Sequence, residues 1–451
     1  MTLQSDYFSG MFGTSDMQDV FADTGRFKSW LETEAAIAKV QGALGLIPQT
    51  ASDRIQAAAK LENIDTDAMH EEYSRVGFPI LPLVHQLAAA CDDETARWVH
   101  WGATTQDIID TGLVLQMRRG LKLLEEDLVA VIDALATLVR EHRDTVMPGR
   151  TFQQQAAPIT FGYKVAVWLD ELLRHQQRLA EVRQRALVCS YGGAVGNLAT
   201  LGGEGDKVVT ALARELDLVE PSITWHTARD GWAEAVFWLA LVGASLGKIA
   251  TEVATLMRSE VAEVREPYQP GRGASSTMPQ KRNPIACPIL IAIATRLRDS
   301  VPSQLNAMIQ EHERSVAGQP MEWLVIPEAF VLASGALRHA RELLSGLEVD
   351  AVRMRKNLEL GDGLLMAESV MMGLAPKIGR GCAHELVSAA ANRAIEQATS
   401  MREQLVADGQ VMQWLSESEL DKLLEPASYL GSTQTMIDAV LNNYRLMKGK
   451  S

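Results

Sequence analysis

The chain has 451 residues, 47% of them hydrophobic and 22% charged, with a formal net charge of -14. That length exceeds one simple core and points to two or three domains, while the composition excludes the disordered, collagenous and disulfide-scaffold classes. The acidic balance argues against a nucleic-acid surface or an anionic membrane as main partner, since both need a basic field; a local basic pocket for a small anion stays open.

In chain order, the opening MTLQSDYFSGMFG lacks a basic stretch followed by an apolar one, so no signal peptide is expected. No apolar run approaches the ~20 residues of a membrane span, and a cytoplasmic protein is expected. In LKLLEEDLVAVIDALATLVREHRDT, Leu121, Leu124, Leu128, Ile132, Leu135 and Val139 recur at helical spacing and predict an amphipathic helix. MPGR at 147–150 and the glycine-rich 191–206 read as breaks. Residues 231–263 predict one long helix, with Trp232, Val236, Leu239, Val242, Leu246, Ile249, Val253 and Leu256 near one face and Gly243 and Gly247 permitting close helix approach. Further breaks fall at 271–288 and at ELGDG, 359–363. No sustained period-two alternation predicts a large sheet. The predicted domains are 1–112, a central long-helix domain 113–355, and 356–451.

Cys91, Cys189, Cys287 and Cys382 form no CxxC or Cys/His cluster, so core thiols are expected rather than a zinc site or disulfides. No HExxH pair and no phosphate loop is present, and GGAVG at 192–196 fits a turn better than a dinucleotide loop. Neither metal nor cofactor is expected.

Three polar segments stand in otherwise apolar surroundings: HWGATTQDIIDT (100–111), GRTFQQQAAPITFG (149–162) and GRGASSTMPQKRNPIACP (271–288). Each alone could be helix caps or a surface loop. Together they offer hydroxyls, amides and one lysine, a set able to hydrogen-bond carboxylates without a metal.

The run SSTMPQKRNP, with the other two segments upstream in that order, resembles the three shared regions of the fumarase/aspartase superfamily. Outside them, FADTGRFKSWLETEAAIAKVQGALGLIP, WHTARDGWAEA, QEHERS, MEWLVIPE and LLEPASYLGST are most similar to its 3-carboxy-cis,cis-muconate cycloisomerase branch. The resemblance spans nearly the whole chain. It implies an all-α, three-domain subunit whose long helices build a twenty-helix core in a homotetramer, with active sites shared between subunits.

It further implies addition or elimination on a small polycarboxylate through an aci-carboxylate, the doubly charged species left when a proton departs beside a carboxylate. Ser275 matches the family's catalytic base or acid, with Lys281 and Asn283 binding the activating carboxylate. Thr104, Thr105 and Gln154 match substrate contacts, with His100 nearby, Thr151 orienting the segment, and Ser276, Met278 and Gln155 alongside. Arg229 and Arg282 are expected to bind anions. Gln155 and Gln280 stand where many members carry histidine, and an amide cannot act as a general acid. Pro288 stands where several relatives carry a glutamate. The readings are therefore the cycloisomerase, a lyase releasing fumarate from a substituted succinate, and an inactive helical scaffold.

Overall fold

A computed structural model describes residues 6–267, 270, 271, 273, 277, 278 and 280–449. Helices dominate, and among the described residues the strands form two small antiparallel sheets: β1 (Val146–Thr151) with β2 (Gln154–Thr160), and β3 (Val264–Arg265) with β4 (Glu348–Val349). The chain divides into two compact units. Unit one comprises residues 1–129, 175–248 and 289–340; unit two comprises 130–174, 249–288 and 341–451.

Five long helices, Thr105–Glu141, Phe161–Ala186, Asp230–Leu256, Ala286–Ala307 and Gly318–Ser345, contribute residues to both units. The first has 37 residues and is roughly 55 Å long at 1.5 Å per residue. Its predicted apolar face, Leu121 to Val139, is buried as the spacing required. The face predicted from Trp232 to Leu256 is likewise buried. Gly243 and Gly247 sit where a Cβ would come within 2.6 Å of Leu297 and of Ala294, so only glycine admits that approach.

That apolar helix stops at Leu256, short of the predicted 263. Beyond it Ala262 adopts a left-handed φ of 52°, and the carbonyls of Glu260 and Val261 accept hydrogen bonds from Arg353, which fixes a turn in place of further helix. The expectation that no apolar run is long enough for a membrane span does not hold by length and composition alone. Asp230–Leu256 and Gly318–Ser345 each reach the length and mean hydropathy of a membrane span, at 1.5 and 1.2. With 72% of either window buried inside the protein, both are core helices.

Unit one is built on a core of Phe27, Trp30, Leu31, Ile37, Leu83, Ile108, Leu115, Tyr191 and Leu212. Unit two has its own core, including Val370, Leu374, Val387, Met401, Leu405 and Leu420. Cys189 and Cys287 are core thiols as expected, Cys91 is half-buried, and Cys382 is exposed.

The second polar segment is not a loop break but a hairpin, β1–β2, with a bulge between Gly149 and Arg150. Its two-residue connection, Phe152 and Gln153, has φ of 49° and 65°, the left-handed pair that lets a tight hairpin match strand twist. Pro148 lies opposite Pro158 across the ladder. Prolines donate no ladder hydrogen bond, so the segment lacks the composition by which strands are usually recognised.

Candidate active site

In unit one the first polar segment is organised by a buried carboxylate. Asp107, in the first turn of Thr105–Glu141, accepts the N–H of Thr104 at 2.9 Å and so caps that helix. The same carboxylate accepts the N–H groups of Gly192 (2.8 Å) and Gly193 (2.9 Å), and Nε2 of His226 lies 2.8 Å away. The glycine-rich turn is therefore an internal anion clasp, in keeping with its reading as a turn. At Gly192 a Cβ would come within 2.6 Å of Thr224, which explains the residue type.

His100 precedes this helix with a left-handed φ of 61°, and its Nδ1 lies 2.6 Å from the buried Glu34 carboxylate. Burial alone would lower the imidazole pKa; the Glu34 charge, with Asp107 behind it, prevails and raises it above the ordinary value. The Thr104 hydroxyl accepts from Arg314 at 3.3 Å, and Gln106 Oε1 accepts from Arg314 Nε at 2.9 Å. Thr105 begins the helix, half-buried. His100, Thr104, Thr105 and the exposed Arg314 thus share one neighbourhood of unit one. Arg314 lies in QEHERS, but its partners Gln106 and Thr104 stand more than 200 residues away along the chain, so the sequence alone gives it no site role.

Arg229, expected to bind an anion, instead holds two buried carboxylates of the protein itself. It is 0% exposed, with a bidentate pair to Asp110 (2.6 and 3.0 Å) and bonds to Glu322 down to 2.6 Å. Its guanidinium carbon sits 4.0 Å from the Trp232 ring centroid and 5.0 Å from that of Trp225. Burial opposes the charge, yet Asp110 and Glu322 hold the pKa above its usual value. Arg229 is a structural cation with no face open to a substrate.

In unit two the hairpin presents Thr151 and Gln154 exposed, paired in register beside the turn, and Gln155 half-buried. Gln155 Nε2 donates to the Asn357 carbonyl at 2.8 Å. Arg150 forms a bidentate pair with the buried Glu263, at 2.6 and 2.9 Å.

The third segment is tied at its base. Glu266 accepts the N–H groups of Ile285, Ala286 and Cys287 at 2.9, 3.0 and 2.9 Å, capping Ala286–Ala307. Burial would raise this carboxyl; the three backbone donors prevail and lower it. Asn283 donates both its backbone and its side-chain N–H to the Gly273 carbonyl, at 3.0 and 3.1 Å. Gly273 has φ of 71°, and a Cβ there would approach Asn283 O to 2.5 Å. Asn283 thus clasps its own segment, a structural contact the sequence reading did not foresee. Lys281 is exposed, Met278 is 41% exposed, and Arg282 pairs with Glu348 at 3.1 Å. Ser275 and Ser276 lie outside the described residues.

This combination of long apolar helices, a hydroxyl-amide segment on a capped helix start and a Lys-Arg-Asn segment accords with the sequence pattern of the family described as Lyase, which matches residues 13–298; the adenylosuccinate lyase C-terminus pattern matches 363–440. The chain belongs to the fumarase/aspartase superfamily and is an enzyme of that class. It is 46% identical to the 3-carboxy-cis,cis-muconate cycloisomerase of Pseudomonas aeruginosa over 98% of this chain and 96% of that one. The 3-carboxy-cis,cis-muconate lactonizing enzyme from Pseudomonas putida superposes with a TM-score of 0.94 at 42% identity, covering 98% of this chain and 100% of the other. A fumarate lyase from Mesorhizobium sp. BNC1 gives 0.91 at 44%, covering 96% and 98%.

Proposed function

We propose that the protein is a cofactor-independent 3-carboxy-cis,cis-muconate cycloisomerase. The observation that carries this reading is near-full-length similarity to cycloisomerases in both sequence and fold. In the proposed reaction a substrate carboxylate oxygen adds to one alkene carbon. The adjacent carbon, next to a second carboxylate, passes through an aci-carboxylate and takes a proton from the Ser275 hydroxyl, closing the lactone. Thr104, Thr105 and Arg314 of unit one, and Gln154 and Lys281 of unit two contributed by a neighbouring copy, are the proposed donors for the growing charge, each stronger when water is excluded. Asn283 holds its segment in shape, and Arg282, half-exposed beside Glu348, is a cation that exchange of partner can release to an anion. Three predicted domains, a homotetramer with sites completed by neighbouring copies, and a cytoplasmic location belong to the same proposal.

The test is loss of muconate ultraviolet absorbance with purified protein and with Ser275→Ala. Serine-dependent loss supports the reading; an inert muconate sinks it. A second reading, a lyase releasing fumarate from a substituted succinate whose leaving group departs without a general acid, is favoured by Gln155: an amide anchored on a carbonyl cannot protonate a leaving group. Serine-dependent fumarate release with muconate inert would select it, and no turnover of either substrate class would leave the inactive scaffold.

A further inference from the structure

The hairpin and the turn before β3 meet in one buried polar cluster of unit two. Glu263 is 0% exposed, and besides the Arg150 pair its Oε1 accepts from the Asn357 side-chain amide at 2.7 Å. That amide also donates to the Val261 carbonyl at 2.8 Å, and the backbone carbonyl of Asn357 is the acceptor for Gln155. Asn357 is 1% exposed, on the helix Ala351–Glu359, and its own Oδ1 is buried with no hydrogen-bond partner. A buried orphan oxygen costs stability, so what the asparagine side chain contributes here is its two donated hydrogen bonds, while the backbone carbonyl at 357 holds Gln155.

We propose that Asn357 is a positioning residue for the reaction: through its carbonyl it sets Gln155, and through Glu263 it sets Arg150, fixing the hairpin that carries Gln154. This rests on the reading that the hairpin glutamines meet substrate. Asn357 touches neither substrate nor reacting atoms; it acts through the hairpin. The charged groups around it are Glu263 and Arg150, with Arg353 on its own helix holding the Val261 and Glu260 carbonyls.

The test compares Asn357→Asp and Asn357→Leu with the parent chain, by turnover against pH and by hydrogen–deuterium exchange of residues 146–160 in the full chain. In Asn357→Asp a second carboxyl faces Glu263, and the two must share a proton because like charges raise one pKa strongly. Below that raised pKa the protonated Asp donates to Glu263 as the amide did. As pH rises through it, the donor is lost and repulsion replaces it. Turnover should fall about 100-fold at high pH, the scale of a 1 Å misplacement, and recover in part on acidification, which the parent should not show. Exchange in 146–160 should rise in step. Parent-like turnover and parent-like hairpin exchange would overturn the proposal. If Asn357→Leu fails to fold, Asn357→Asp at low pH still decides. If the parent turns over neither muconate nor a succinate derivative, the functional reading fails, and hairpin exchange alone decides the positioning role.

Discussion

The two units treat their polar segments in opposite ways. In unit one, Asp107, Asp110, Arg229 and Glu322 are buried and bonded to one another or to backbone, leaving Thr104, Thr105 and Arg314 at the edge. In unit two, the tip of the hairpin turns its polar groups outward, with Thr151 and Gln154 exposed while Gln155 and Arg150 are anchored from behind. Polar residues of similar appearance in sequence thus serve as a frame in one unit and as an open surface in the other. Burial, not residue type, separates the roles.

Breaking the frame should have the largest effect. Arg229→Met strands two buried carboxylates and should cost about 3–5 kcal/mol of stability, read from urea unfolding. An unchanged midpoint would mean that the cluster is solvated. The open surface should respond the other way: Gln154→Ala is expected to lower kcat/KM by about 10- to 100-fold, roughly 1.4–2.7 kcal/mol, while its melting temperature stays that of the parent. A large loss of stability there would erase the contrast between the units.

The smallest expected effect sharpens the comparison at the edge of the frame. The folded-state pKa of His100 is raised above its unfolded value near 6.5, so its pair with Glu34 contributes stability fully present below that value and lost as pH rises through the raised one. Glu34→Gln should flatten stability against pH in that window; an identical slope in the variant would remove the pair from the account.

Periodicity made the helical faces legible, since Leu121 to Val139 and Trp232 to Leu256 follow one side of their helices. The hairpin was not legible, because Pro148, Pro158 and three glutamines mask its strands. Motif pattern located the polar segments but could not tell Arg229 from Arg314. A hint existed: Trp225 and Trp232 flank Arg229 at near-helical distances, a setting for a stacked, buried cation. The Asp110 and Glu322 partners, distant in sequence, carried no such sign. The support of Gln155 by Asn357 is equally non-local and visible only once the chain is folded.

Phe152 is 99% exposed, and both turn residues hold the left-handed backbone that Asn-Gly adopts at ease. Drift toward that easier pair would relax the backbone by about 1–3 kcal/mol, and so ought to be frequent if the turn were only a connector. A bulky aromatic in such a place makes the hairpin tip a spot where evolutionary sampling pits local comfort against the identity of the side chain displayed. Variation among descendants of this sequence at 152 and 153 would then record changes in what the tip meets rather than changes in how well the hairpin folds.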